Sequence, residues 1–332
     1  MDIIEYKNNL DDIIAIIERS KMRALKAVNA EMIEMYWQIG KYISEKADKD
    51  GWGKGVVQEF ANMLKQEYPS AGGFSAQNIW RMKQFYETYR DNEKLSPLVR
   101  EITWSNNLLI MAGCKTDEAK EFYLRLCIAN GYGKRELERQ IDSMLFERTM
   151  ISTAKNKDLI EQYPQVGMLR DSYVLEFLDM PKDYKEKDLR KAIITNLKQF
   201  ILEFGKDFTF VGEEYKIQVG NTDFFIDLLF YNRALSCLVA IELKVGKFKP
   251  EHLGQLNFYL EALNRDVKKP NENPSVGLIL CTYKDDTVVE YALSSSLSPA
   301  MVADYTLKLP DKKAISDKVR EITDLFLENK SE

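Results

Sequence analysis

The stretch Asp223-Phe-Phe-Ile-Asp-Leu-Leu-Phe-Tyr231 is followed almost at once by Ser236-Cys-Leu-Val-Ala-Ile-Glu-Leu-Lys244. Both read as strands of a buried sheet, yet each carries charge where a core strand should have none. Side chains alternate faces along a strand with a period of two, so Glu242 and Lys244 fall on the face of Leu238 and Ala240. Asp227 reaches the same place from the neighbouring strand. Buried carboxylates are costly unless paired or bound to a metal, and two close together force one to hold a proton. A hard divalent cation resolves the conflict.

The chain has 332 residues, 45% of them hydrophobic and 30% charged, enough for two globular domains. No apolar run approaches the roughly 18 residues that span a membrane, and the N-terminus lacks the layout of a secretory signal, so a cytoplasmic protein is expected. Its four cysteines are scattered without a Cys-x-x-Cys pair, which predicts neither disulfides nor zinc. A net charge of -5 argues mildly against a nucleic-acid partner. It does not exclude one, because a metal-dependent nuclease keeps acidic groups for its cations.

Residues 1–150 read as helical. Apolar residues recur at spacings of three and four in Ile13, Ile14 and Ile17, then in Met32, Tyr36, Ile39 and Ile43. Ser75 is placed to cap a helix through Ile79, Met82 and Phe85, and with the helix before it makes a helix-turn-helix candidate. On it Gln77, Asn78, Arg81 and Lys83 stand where a recognition helix would touch nucleic acid. Packed structure explains most such helix pairs equally well. Lys134, Arg135 and Arg139 read as solvated charge, and Gly51, Gly53 and Gly55 as a turn between helices rather than a phosphate loop.

Polar sequence over 151–168 suggests a linker, residues 169–312 a sheet domain, and 313–332 a closing helix. Lys185 to Phe204 reads as one long helix stopped by Gly205. Glu203 stands in its last turn, where a carboxylate opposes the helix dipole and invites a functional explanation. Strands follow around Asp227 and Glu242. A helix from about Pro250 then puts Gln255 and Tyr259 on one face, with His252 beside them. Magnesium takes oxygen ligands and keeps several waters, so Asp227 and Glu242, joined by the carbonyl of Leu243, are the candidate ligands. Such a cation eases deprotonation of a water and spreads the charge that builds on a phosphate. Lys244 would favour the attacking hydroxide, and Glu203 would hold an outer-shell water.

At this point the order Glu203, Asp227, Glu242-Leu-Lys244, Gln255 resembles the PD-(D/E)XK nucleases, the restriction-endonuclease-like superfamily. Ile226-Asp227 stands where that superfamily has Pro-Asp. Residues 223–231, 238–244, Gly246-Lys-Phe-Lys-Pro250 and Gly254-Gln-Leu-Asn-Phe-Tyr-Leu260 are similar to the bacterial YhcG-like family. Tyr36-Trp-Gln-Ile-Gly-Lys41, Trp52-Gly-Lys54 and Trp104-Ser105 resemble that family's helical domain of unknown function. The resemblance implies an α+β two-domain chain: an all-helical N-terminal domain with a helix-turn-helix-like element, then a restriction-endonuclease-like α/β/α domain with a mixed sheet. It implies a Mg2+-dependent endonuclease, Mn2+ substituting, that cuts DNA or RNA in bacterial DNA processing or defence. Catalysis would rest on Glu203, Asp227, Glu242, Lys244 and Gln255; Gln77, Asn78, Arg81, Lys83 and Tyr259 would touch nucleic acid, and a homodimer is a candidate assembly. The alternative is a binding or scaffolding protein that keeps the fold without turnover.

Overall fold

A computed structural model of the chain describes residues 3–70, 72–205, 207–294, 296 and 298–328. The chain divides into two compact units, Met1–Ile141 and Asp142–Glu332.

The first unit is helical: α1 (Ile3–Asp50), α2 (Lys54–Glu67), α3 (Ala76–Tyr89), α4 (Trp104–Gly113), α5 (Asp117–Asn130) and α6 (Lys134–Asp142), the last ending at the division. Three of the helices, α3, α4 and α5, start where a short hydroxyl side chain satisfies an otherwise unpaired backbone N–H group. The Ser75 hydroxyl accepts from the Asn78 N–H at 3.3 Å, as the sequence predicts, and Thr103 and Thr116 cap α4 and α5 in the same way. The second half of α1 lies on α3, burying Ile33, Tyr36, Trp37 and Ile43 with Ile79, Met82 and Phe85. Gly40 is needed there, because a Cβ at that position would stand 2.1 Å from the Met82 carbonyl oxygen. The α2–α3 connection is eight residues long, 68–75, where a helix-turn-helix has three or four.

The second unit opens with α7 (Leu145–Lys155) and α8 (Lys157–Gln162), so the stretch expected as a linker is largely helical. It continues through β1 (Ser172–Val174), α9 (Glu186–Thr195), α10 (Leu197–Phe204), β2 (Phe208–Val219), β3 (Thr222–Asn232) and β4 (Cys237–Lys247). It closes with α11 (Pro250–Ala262), β5 (Val276–Tyr283), α12 (Asp286–Ser294), β6 (Ala300–Thr306) and α13 (Lys312–Glu328). Among the described residues the strands form one sheet in the order β1-β6-β5-β4-β3-β2. β2, β3 and β4 run antiparallel, and β4, β5, β6 and β1 parallel, the mixed sheet that was expected.

Both sheet faces are covered, which is why residues 237–241 of β4 read as an unbroken apolar run. Val239, Ile241 and Leu243 pack with Leu189 and Ile193 of α9 and with Phe200 and Phe204 of α10. Leu238 and Ala240 face the other way, against Leu253, Leu256 and Leu260 of α11. Gly277 in β5 sets how closely α11 can lie, since a Cβ there would meet the Leu256 side chain at 2.7 Å. The helix expected over Lys185–Phe204 breaks at Asn196, which ends α9 and precedes α10. Its side-chain amide donates to the Ala192 carbonyl at 3.0 Å, the local competition with the helical backbone for which Asn is prone.

Candidate active site

The β3–β4 ladder runs from Asn232 opposite Cys237 to Leu228 opposite Ile241, and stops. Beyond it the side chains of the two strands take over. The Asp227 carboxylate accepts from the Leu243 N–H at 3.0 Å, and Glu242 Oε1 lies 3.5 Å from the Asp227 N. Glu242 and Lys244 are on the α11 face by the alternation that buries Leu238 and Ala240 there. Lys244 Nζ lies 3.3 Å from Glu242 Oε2. The structure thus gathers Asp227, Glu242 and Lys244 at one end of the β3–β4 pair.

Glu242 is only 2% exposed. Burial above all, and then the charge of Asp227, pushes its carboxyl up to about 7, and the attraction of Lys244 does not undo this. For Lys244 burial pulls downward, but Glu242, Glu186 and Asp227 together outweigh it, so the ammonium stays charged with its pKa above the ordinary lysine value. Two further charges complete the site. Arg190 of α9 donates from Nη1 to Asp227 Oδ1 at 2.9 Å, while its Nη2 is 2.7 Å from Glu214 on β2. Glu186, one turn earlier on α9, has a carboxylate oxygen 4.0 Å from Lys244 Nζ.

α11 supplies the rim. Gln255 Nε2 donates to the Tyr259 hydroxyl at 2.7 Å. Burial chiefly raises the Tyr259 pKa, with Glu242 and Asp227 near enough to add to it. The His252 imidazole is lowered by burial and by the Lys244 charge, while its Nδ1 accepts from the Lys249 N–H at 3.3 Å, capping the helix.

Glu203, expected at the site from its place at the end of the helix, lies elsewhere. It is fully buried, but its carboxylate accepts from Arg148 Nη1 at 2.9 Å and from the Val174 N–H of β1 at 3.0 Å. β6 and β5 lie between β1 and β4, so this carboxylate is not at the site. Its apparent conflict with the helix dipole is answered by a buried guanidinium. Asn78 is likewise committed inside the helical unit: its amide donates to the Gly73 carbonyl at 2.6 Å and its oxygen accepts from the Trp104 indole at 2.9 Å. Gln77 and Arg81 are exposed, and Lys83 is paired with Glu87 one turn on. Arg190 and Glu186 escaped the sequence argument because charged residues on an amphipathic helix carry no distinguishing signal; their roles come from what the sheet places opposite them.

Among the described residues no three His, Cys, Asp or Glu side chains are grouped to hold a metal ion. The donor set of Asp227 and Glu242 nevertheless fits a hard cation that keeps its waters. Two carboxylates are held together at the cost of a raised Glu242 pKa, the penalty a divalent charge would relieve. Residues of an extended strand direct N–H and C=O to the same side, so the Leu243 carbonyl points toward Asp227, which its N–H already contacts.

Residues 166–320 match the YhcG PDDEXK nuclease domain, and residues 12–148 match the DUF1016 N-terminal domain. The chain is 30% identical to "Putative nuclease YhcG" of Escherichia coli (strain K12), over 95% of this chain and 93% of that protein. The chain belongs to the YhcG family of PDDEXK nucleases. Two solved structures are similar to parts of it: a repair endonuclease from Pyrococcus abyssi (17% identity, TM-score 0.27, 39% of this chain and 50% of that one) and EndoMS in apo form (16%, 0.26, 40% and 49%). The chain spans about half the length of each, and at these scores neither bears on fold or function. No helix among the described residues is long and apolar enough to cross a membrane.

Proposed function

We propose that this protein hydrolyses phosphodiester bonds of DNA, with RNA as the second substrate class, using Mg2+ held by Asp227, Glu242 and the Leu243 carbonyl, Mn2+ substituting. The observation that carries it is the meeting of Asp227, Glu242 and Lys244 where the β3–β4 ladder ends. A divalent cation there supplies Lewis acidity toward a phosphate oxygen and makes a water easier to deprotonate. Lys244, charged and only 14% exposed, places a fixed positive charge against the attacking oxygen and the scissile phosphate. Their mutual hydrogen bond holds Gln255 and Tyr259 in place beside it, where both meet the substrate. Arg190 orients Asp227 by binding one carboxylate oxygen while the Leu243 N–H binds the other. Gln77 and Arg81, exposed on α3, and Lys83 beside them contribute backbone contacts to nucleic acid. Asn78 helps only by holding the turn before α3.

The alternative, a nuclease fold kept for binding, draws on one observation: the Arg190 guanidinium occupies an Asp227 oxygen that a cation would use. Glu214, 62% exposed and 2.7 Å from the same guanidinium, gives it a second place to go. Purified protein assayed with Mg2+ and with chelator against single-stranded, duplex and branched DNA and against RNA decides between them. Cleavage that requires the cation supports the enzyme; binding without cleavage of any substrate, with Mg2+ or Mn2+ present, supports the scaffold.

A further inference from the structure

Every residue of α1 from Leu10 to Val28 is exposed, around the whole circumference of the helix. Asn29 marks the join to the helical unit, its side chain donating to the Ile102 carbonyl at 3.0 Å, and buried side chains begin at Ile33. At 1.5 Å per residue the free stretch is about 27 Å long. It is not polar. Leu10, Ile13, Ile14, Ile17, Leu25 and Val28 are 46–69% exposed, and their spacing of three and four puts them along one stripe. A contiguous apolar stripe left in water marks a contact surface.

We propose that residues 10–28 of α1 form a dimerisation arm that pairs antiparallel with the same segment of a second copy of this chain. Charge selects this occupant. Residues 10–18 carry Asp11, Asp12 and Glu18 and no basic residue; residues 19–28 carry Arg19, Lys21, Arg23 and Lys26 and no acidic one. A parallel pair sets the acidic half on the acidic half and the basic half on the basic half, whereas an antiparallel pair sets acidic half on basic half; Asp12, Arg19 and Lys26 lie on the side of the helix away from the stripe and act only through this longer-range field. The stripe is also self-complementary about residue 19: Leu10 then lies level with the partner's Val28, and Ile13 with the partner's Leu25. This is the condition for a closed two-fold interface. Lys21 decides the direction a second time. It is the charged residue in the middle of the stripe, its ammonium 3.0 Å from Glu18 of its own chain. Antiparallel pairing places it beside the partner's Ile17 and the partner's Glu18, and parallel pairing places it against another Lys21. An anionic membrane would attract the basic half of the arm but repel the acidic half adjoining it. The pairing is independent of the nuclease chemistry and would bring two copies of the chain into one particle.

Sedimentation velocity on the full chain at micromolar concentration tests the arm. The expected result is a particle of twice the 38.6 kDa chain mass. Ile14→Asp with Ile17→Asp is expected to reduce it to monomer with an unchanged far-UV circular dichroism spectrum, since both side chains lie in solvent in the single chain. Direction is read from cysteines placed at the ends of the stripe, the four native ones being buried. Leu10→Cys protein and Val28→Cys protein should each fail to cross-link alone and should cross-link when mixed, because a disulfide needs Cα atoms within about 7 Å. A monomeric wild type, a dimer untouched by the two aspartates, or cross-linking of Leu10→Cys protein alone each overturns the proposal. So does a monomer that floats with phosphatidylserine-containing vesicles, which would assign the stripe to a membrane.

Discussion

Glu203 and Glu242 are both glutamates buried in the sheet-containing unit, yet their surroundings differ in kind. Glu203, beside β1, accepts from a guanidinium and a backbone N–H, so its charge is answered by donors. Glu242, at the end of β4, faces a second carboxylate and shares one ammonium with it, and its affinity for a proton rises accordingly. A satisfied buried charge holds a structure together; an unsatisfied one is kept because something else binds there.

The largest effect that can break this comparison is on catalysis. Asp227→Asn or Glu242→Gln is expected to reduce cleavage to background while the fold survives, and Lys244→Ala to lower turnover with substrate affinity within a few-fold, the pattern of an interaction made in the transition state. Steady-state kinetics with a binding isotherm check both. Retained cleavage in Glu242→Gln would remove the distinction between the two glutamates. The next effect is on stability. Glu203→Gln removes the buried negative charge that Arg148 and Arg170 approach and should cost about 3–5 kcal/mol in denaturant unfolding.

Protonation sharpens the contrast. The folded Glu242 carboxyl stands near 7 against an unfolded value of 4.5, so the folded state binds the extra proton between those values and loses stability as pH rises through them. That loss is on the order of 3 kcal/mol. Glu242→Gln should therefore melt higher than the wild type at pH 8 in chelator and nearly level with it at pH 4.5. An equal difference at both pH values would show that burial of this carboxylate carries no such penalty. The smallest expected effect is on the helical unit: Arg81→Ala should lower the slope of log affinity against log salt by roughly one unit. Lys83→Ala should lower it less, because Glu87 already holds that ammonium. Slopes from titrations at several salt concentrations decide this, and an unchanged slope in both variants would move nucleic-acid contact out of α3.

What the sequence determined by itself is local and periodic. The period of two along 236–244 put Glu242 and Lys244 on the face of Leu238 and Ala240, and the structure keeps that alternation, with Leu238 and Ala240 toward α11 and Val239, Ile241 and Leu243 on the other face. The Ser75 cap and the apolar spacing of α3 were legible for the same reason: a cap reaches three residues and a helix face repeats every three or four. Asn196 could have warned of the helix break, since its side chain competes with the backbone only four residues away. The long-range pairings were decided by tertiary structure alone. Arg148 lies 55 positions from Glu203, and Arg190 lies 37 from Asp227, so no repeat or spacing in the chain announces either contact. Glu203 and Glu242 look alike as sequence, each a carboxylate among apolar neighbours. What separates them is which residue the fold sets opposite, and that depends on where β1 lies in the sheet and where α9 packs on it.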